Sequence, residues 1–345
     1  MSDDDVARPA TIYDVAAAAG VSPATVSRTF SRPGRVSAKT AEHIRAVAAD
    51  LGYRAEQIAA PVLPAKRKAL GLAVADITNP FNFGIIRGAE EAAAQHGYAI
   101  VLIDTRESDQ LERTLLNRTL PLLDAMLVAS SRVSDTHLRQ VGKQLPVVVL
   151  NRHVSGMPSI VTDNERGMRR AVEHLAELGH RQIWYVAGPE ASWADGVRWR
   201  AMRESALELV LTAHRVGPNV PTMREAPAIA DELLSRGAKA VICYNDLLAF
   251  GLVLALRQRG VSVPEQMSII GFDNAFGCDL LSPGLTTVAA PLGQLGELGI
   301  TNLVGLLGGA KWRSATPLRV PVKLIVRGST AAPTGQRPAR AHLTR

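Results

Sequence analysis

Two folds in series are predicted by the sequence: an α-helical helix-turn-helix headpiece, then a larger α/β region of two lobes built on parallel sheets. Three observations predict it. Near the start, a glycine and a Ser-Pro pair separate two short helical patterns. From Leu70 onward, short apolar runs alternate with longer amphipathic stretches, which is the pattern of βα units. These units are too numerous for one sheet in a chain of 345 residues, because single cores stop growing at roughly 250–300 residues.

The headpiece reads in order. Thr11-Ile-Tyr-Asp14 sets a hydroxyl cap three residues before an acid, a helix start that serves the run of alanines to Ala19. Gly20 supplies the left-handed conformation of a sharp helix end. Ser22-Pro23 restarts the chain at once, Ser as cap and Pro at the first helical position. Val15, Ala19, Val21, Val26 and Phe30 then face one another, and a third helix over 37–51 adds Ile44, Val47 and Leu51. The second helix is left with Pro23, Ala24, Thr25, Ser27 and Arg28 on its outer face. Such a surface suits a nucleic-acid groove and its phosphates, and on spacing alone it suits a solvated helical hairpin equally. Charge favours the groove: between 11 and 70 stand nine basic and four acidic residues.

In the larger region the strand candidates are 70–75, 99–103, 125–129, 147–150, 183–187, 240–243 and 268–271. Each is short, apolar and often β-branched, as in strands covered on both faces. Helices are expected over 81–96, 110–120, 165–178, 201–211, 226–235 and 247–259. In open α/β sheets ligands bind beyond the carboxyl ends of the strands, so the residues just after each run are the ones to watch.

Composition narrows the class. With 47% apolar and 21% charged residues the chain is globular, and its net charge of +7 fits a polyanionic partner. Cys243 and Cys278 have no metal-ligand spacing and read as buried thiols of a reducing compartment. The opening Met1-Ser-Asp-Asp-Asp has no apolar signal core and no run approaches a membrane span. The expectation is a cytoplasmic protein with no membrane contact, no cofactor and no metal.

The stretch from Thr11 to Arg28, followed by Val36-Ser-Ala-Lys-Thr40 and Leu51-Gly-Tyr53, closely resembles the DNA-binding headpiece of the LacI/GalR family of bacterial transcription regulators. The resemblance implies that Pro23, Ala24 and Arg28 meet base edges in the major groove. It implies that Tyr13, Thr25, Ser27 and Ser31 hold phosphates, with Ser22 beside them and Arg35 near the groove edge. An arginine paired with guanine discriminates by about 1–3 kcal/mol. One departure stands out. Where the family continues after Gly-Tyr with Pro-Asn and a helix whose Leu wedges into the minor groove, this chain has Ala55, Glu56 and an interrupting Pro61. Proline inside a helix costs about 3 kcal/mol, so the wedge falls to Val62 or Leu63 on a shorter helix, or minor-groove contact is weak.

The resemblance continues from Leu70 to Arg327 through Gly71-Leu-Ala-Val-Ala-Asp-Ile-Thr-Asn-Pro-Phe81, Asn245-Asp246, Gly271-Phe-Asp273 and Leu285-Thr-Thr-Val288. It implies a periplasmic-binding-protein-like body of two lobes joined by three crossovers, with a ligand between them and a homodimer formed largely by the first lobe. The domains are then a disordered leader (1–10), the headpiece (11–53), a hinge or linker (54–68), the effector-binding and dimerisation region (69–330) and a flexible tail (331–345). Strand ends nominate Asn79, Phe81, Phe83, Asn151, Arg152, Trp193, Arg198, Asn245 and Asp273 as effector contacts. Arg and Asn donate to hydroxyl oxygens, Asp accepts from hydroxyl hydrogens, and Phe81 or Trp193 covers an apolar ring face. A sugar or related polyol suits this set; Arg152 and Arg198 together leave an anionic ligand open.

An enzyme is the competing reading, since α/β lobes host many catalysts. No glycine-rich nucleotide turn, phosphate loop or Gly-x-Ser-x-Gly elbow occurs, and each of those chemistries needs its motif. A bare small-molecule receptor is the third class. The reading that joins both regions is a ligand-responsive repressor that binds a pseudo-palindromic operator on double-stranded DNA as a dimer.

Overall fold

The computed structural model describes residues 10–31, 34–51, 53, 67–312 and 314–333, and every structural statement concerns these residues. Val62, Leu63 and the other hinge residues from 54 to 66, the side chain of Ser31, and the 1–9 and 334–345 segments lie outside them. The chain divides into two compact units, Met1–Lys66 and Arg67–Arg345.

The first unit is three helices, α1 (Ile12–Ala18), α2 (Pro23–Ser31) and α3 (Ala38–Asp50). Their ends follow the cap chemistry. The Asp14 carboxylate accepts from the Thr11 amide at 2.7 Å and from its hydroxyl at 2.6 Å. Gly20, at φ +65°, turns the chain out of α1. Ser22 and Ser37 accept from the amides of Thr25 and Thr40 at 3.2 and 3.3 Å. The core is Val15, Ala16, Ala19, Val26, Ile44 and Ala48. Phe30 and Leu51, expected inside, are 37% and 41% exposed. The alanines let the helices approach closely, which leaves the Phe30 ring at the edge, tilted against Tyr53 with centroids 6.0 Å apart.

The second unit contains two six-stranded sheets. The first, ordered β11-β5-β4-β3-β1-β2, is parallel throughout. Its strands are β1 (Ala69–Val74), β2 (Ala99–Asp104), β3 (Ala125–Ala129), β4 (Val147–Leu150), β5 (Ser159–Thr162) and β11 (Leu318–Val320). The second is ordered β12-β10-β9-β8-β6-β7 and is parallel except for β12. Its strands are β6 (Gln182–Val186), β7 (Thr212–Val216), β8 (Ala240–Cys243), β9 (Ser268–Asp273), β10 (Thr286–Ala289) and β12 (Lys323–Ile325). The chain passes between lobes three times: after β5, after β10 and between β11 and β12. That is the expected two-lobed, three-crossover architecture.

Helices α4 (Phe81–Gln95), α5 (Asp109–Thr119), α6 (Asp135–Gly142) and α11 (Leu292–Leu307) belong to the first lobe. The second takes α7 (Asn164–Glu177), α8 (Trp193–Glu208), α9 (Ala226–Ser235) and α10 (Asp246–Gln258). The apolar runs found in the sequence are β1, β2, β3, β4, β6, β8 and β9, of which β2 alone is an edge strand. The strands it did not reveal are β5, β7, β10, β11 and β12, and the helices α6 and α11. Helix α8 starts at Trp193 rather than at 201, because it buries Ala194, Asp195, Arg198 and Ala201 together and so shows no amphipathic period at its start. Helices α4 and α11 touch backbone to backbone: a methyl on Gly88 would sit 2.0 Å from the Gly293 carbonyl oxygen.

Candidate functional site

On α2 the helical period turns Val26 and Thr29 inward and leaves Ser22, Pro23, Ala24 and Arg28 exposed, with Thr25 and Ser27 half-buried. Tyr13 is 70% exposed, and Arg35 is also on the surface. The Thr25 hydroxyl lies 2.9 Å from that of Ser22, so the cap fixes its direction. No acid occurs between Ser22 and Ser31. A short-chained surface with one long cation is what a helix needs to approach a phosphate-lined groove.

Between the lobes of the second unit lies a cleft walled by the carboxyl ends of the strands. The first lobe gives it Ala75, Asn79, Phe81, Asn82, Glu107, Ser130, Arg132 and Asn151; the second gives Arg198, Tyr244, Asn245 and Asp273. Its free space is about 20 Å³, room for roughly one water molecule. The lobes are shut, so a larger ligand requires them to open. A groove of about 690 Å³ lies elsewhere on the first lobe, between the end of α6 and the starts of β4 and β5. It is larger but mostly apolar, with Arg139 and Lys143 its only charges. Convergent polar groups, not volume, mark a recognition site.

The local backbone aims these side chains. Glu107, Ser130 and Asn151, following β2, β3 and β4, have φ of 57°, 54° and 55°, and Asp273, ending β9, has 117°. Left-handed residues other than glycine are costly and cluster where function demands them. Asn79 accepts from the Phe81 amide at 3.1 Å and so opens α4. Asn245 caps α10 by accepting from the Leu248 amide at 3.0 Å, and its own side-chain amide donates to the Pro221 carbonyl at 3.5 Å. Asn151 donates to the Ser130 hydroxyl at 3.1 Å.

Arg198 is the centre of the second lobe's wall. Its Nε donates to Asn164 at 2.8 Å, another nitrogen donates to the Tyr244 carbonyl, and the guanidinium lies 3.8 Å from the Phe272 ring centroid. Asp273 is 3.8 Å away. Burial pushes the Asp273 carboxyl well above the usual carboxylate range; Arg198 pulls it down and Asp246 raises it further. In the first lobe Arg132 Nε meets Glu107 at 2.6 Å and another nitrogen donates to the Ser130 carbonyl at 2.9 Å. Burial opposes the Arg132 charge, but the neighbouring Tyr244 and Glu107 side chains outweigh that and raise its pKa. Asn82 donates to the Asp76 carbonyl at 2.7 Å, while its own buried carbonyl oxygen has no partner.

Six of the nine residues nominated by strand ends therefore line the cleft: Asn79, Phe81, Asn151, Arg198, Asn245 and Asp273. Three do not. Arg152 turns into its own lobe, where it donates to the carbonyls of Ser131 and Val133 and pairs with Asp135 at 2.6 Å. Trp193 begins α8 outside the lining. Phe83 is 47% exposed and stacks on Phe276 of the other lobe, ring centroids 6.4 Å apart. Sequence reasoning missed Asn82, Glu107, Arg132 and Tyr244. Tyr244 and Arg132 follow strands closely enough for the same rule to have found them. Asn82 sits within a helical pattern, which hides it.

Among the described residues no helix is long and apolar enough to cross a membrane. The family described as bacterial regulatory proteins, lacI family, matches residues 11–56, and the periplasmic binding protein-like domain matches 172–330. The HTH-type transcriptional repressor CytR of Escherichia coli (strain K12) is 30% identical over 348 residues, covering 94% of this chain and 97% of that protein. Among solved structures, a LacI family transcriptional regulator from Enterococcus faecium with bound ribose matches with a TM-score of 0.68 at 30% identity, covering 76% of this chain and 99% of that one. The lac repressor dimer bound to operator and the anti-inducer ONPF matches with a TM-score of 0.70 at 26% identity, covering 94% and 100%.

Proposed function

The chain belongs to the lacI family of bacterial regulatory proteins, and on that premise we propose that it is a cytoplasmic transcriptional repressor whose dimer binds a pseudo-palindromic operator and whose cleft takes an uncharged sugar or polyol. The observation that carries the ligand reading is the convergence of Arg198, Asn245 and Asp273 with Asn79 and Asn151 at the carboxyl ends of two facing sheets. Donors and acceptors alternate there, which suits hydroxyl groups. Arg152, the residue that left an anion open, is occupied within its own lobe. The relative with ribose supports a sugar, and the dimer on operator supports the DNA arrangement. Pro23, Ala24 and Arg28 are the base-facing residues in this reading, with Tyr13, Ser22, Thr25, Ser27, Ser31 and Arg35 on the backbone.

Ligand and operator are linked by a coupling free energy between two sites. The cleft acts as a receptor rather than a catalytic centre. Two substitutions separate the sites. Arg28→Ala lowers selectivity for the operator over random duplex by roughly 10–100-fold in gel-shift titration and leaves sugar affinity unchanged. Asp273→Ala abolishes the sugar response in calorimetry with D-ribose and cellobiose and leaves operator affinity intact. Full sugar affinity in the Asp273 variant removes that residue from the site. Equal attachment of the wild type to every duplex, at every salt concentration, overturns the repressor.

A further inference from the structure

We propose that Glu107 is a charge filter: by neutralising Arg132 inside the cleft it admits uncharged hydroxylated ligands and rejects sugar acids and sugar phosphates. The inference rests on the sugar reading of the cleft and assigns its selectivity to a pair of residues.

The geometry is that of a built ion pair. Arg132 Nε and Glu107 Oε2 are 2.6 Å apart, with side chains 4% and 16% exposed. Neither partner is free to swing away. The Glu107 amide donates to the Ala75 carbonyl at 2.6 Å, just past the end of β1, and its φ of 57° directs the side chain back over the strand ends. The Arg132 amide donates to the Glu112 carboxylate at 2.7 Å, which fixes the other half from behind.

This pair decides what charge the first lobe's wall of the cleft accepts. An arginine in a largely dehydrated wall is a strong anion site when it lacks a counter-ion. With Glu107 in contact, an incoming carboxylate or phosphate has to displace a carboxylate that is already optimally placed, or lie beside it as a like charge. An uncharged hydroxyl can instead accept from Arg132 and donate to Glu107 without breaking the pair. The orphaned Asn82 oxygen adds a second acceptor on the same wall, which again favours hydroxyl hydrogens over anionic oxygens.

The test titrates the full chain with D-glucuronate and D-ribose 5-phosphate in a calorimeter. Glu107→Gln leaves Arg132 without a counter-charge and gains roughly tenfold or more in affinity for at least one anion over the wild type. Glu107→Asp, which keeps the charge, restores rejection, and the Glu107→Gln, Arg132→Gln double variant loses the gain. A structural role for Glu107 would weaken all ligands alike and could not create new affinity. Arg132→Gln is the mirror, independent of how well the first variant folds: it leaves Glu107 unpaired and gains affinity for D-glucosamine. Wild-type discrimination against charged probes in a folded Glu107→Gln or Arg132→Gln protein overturns the proposal. A wild type that binds no D-ribose, cellobiose or other neutral sugar overturns the sugar reading instead, since the charge preference is read from the charged probes alone.

Discussion

Asp246 illustrates how much one residue behind the cleft is asked to do. It is the first residue of α10 and almost wholly buried, and its carboxylate accepts from the Ala275 amide at 2.7 Å, the Thr287 hydroxyl at 2.7 Å and the Cys278 thiol at 3.2 Å. It fills the space that a side chain on Gly271 would need, 2.1 Å from a methyl there. Burial pushes its pKa from 3.8 up to about 6, against the pull of those hydrogen bonds and of Arg198. A carboxyl raised in the folded state binds its proton more tightly there than in the unfolded chain. Its stabilising contribution is therefore complete below about pH 4 and is lost as pH rises through 6. Asp246→Asn lacks this dependence, so the stability advantage of the wild type over the variant shrinks by roughly 2–3 kcal/mol between pH 4 and pH 7. Urea unfolding at several pH values checks it; a constant difference across that window removes Asp246 as the source. At this scale the sequence was informative where a residue follows an apolar run, as Asn245 and Asp273 do. It was silent where a contact depends on the far side of the cleft. Arg152 and Arg132 both follow strands of the first lobe, yet Asp135 draws one inward and Glu107 holds the other at the cleft.

Helix α11 shows why some elements escape sequence reading. Gly293, Gly296, Gly299 and Gly305 lie within Leu292–Leu307, and glycine weakens an isolated helix by about 1 kcal/mol each. What repays them is packing: a methyl on Gly296 would meet the Ile85 carbonyl oxygen at 2.2 Å, and one on Gly88 the Gly293 oxygen at 2.0 Å. Both obstacles are backbone, so neither helix can yield by a side-chain rotation. Gly88→Ala consequently destabilises the first lobe by roughly 3 kcal/mol. Gly97→Ala, at φ +70° with open space around it, costs only about 1–2 kcal/mol. Thermal melts of the two variants followed by circular dichroism measure the contrast; equal losses would mean that α4 and α11 separate freely. The central strands were legible for the opposite reason. β3, β4 and β8 are buried along their whole length, and burial on both faces leaves an unbroken apolar run. The edge strand β7, with Thr212 and Arg215 exposed and Ala213 and His214 half-buried, leaves none.

For the second unit as a whole, the decisive property is that two lobes joined by three strands of chain meet over a cleft too small for a sugar. The count of βα units sufficed to expect two lobes; the three crossovers came from the family resemblance, because no local pattern marks a strand that returns to the other sheet. What holds the closed form is also non-local. Phe83 on α4 and Phe276 after β9 stack across the mouth with planes 15° apart, although both rings remain substantially exposed. Deeper in, Arg132 of the first lobe and Tyr244 of the second line the same closed cleft. Aromatic pairs contribute about 0.5–1.5 kcal/mol beyond their buried area, a modest sum that matters because opening and closing differ by only a few kcal/mol. Phe276→Ala removes the stack without touching any residue that lines the cleft. The variant then populates the open form more, which small-angle scattering registers as a larger radius of gyration in the absence of sugar. Sugar affinity falls by roughly 2–10-fold, since each binding event must now close a cleft that no longer closes as readily. An unchanged radius together with unchanged affinity would leave the mouth stack as surface decoration.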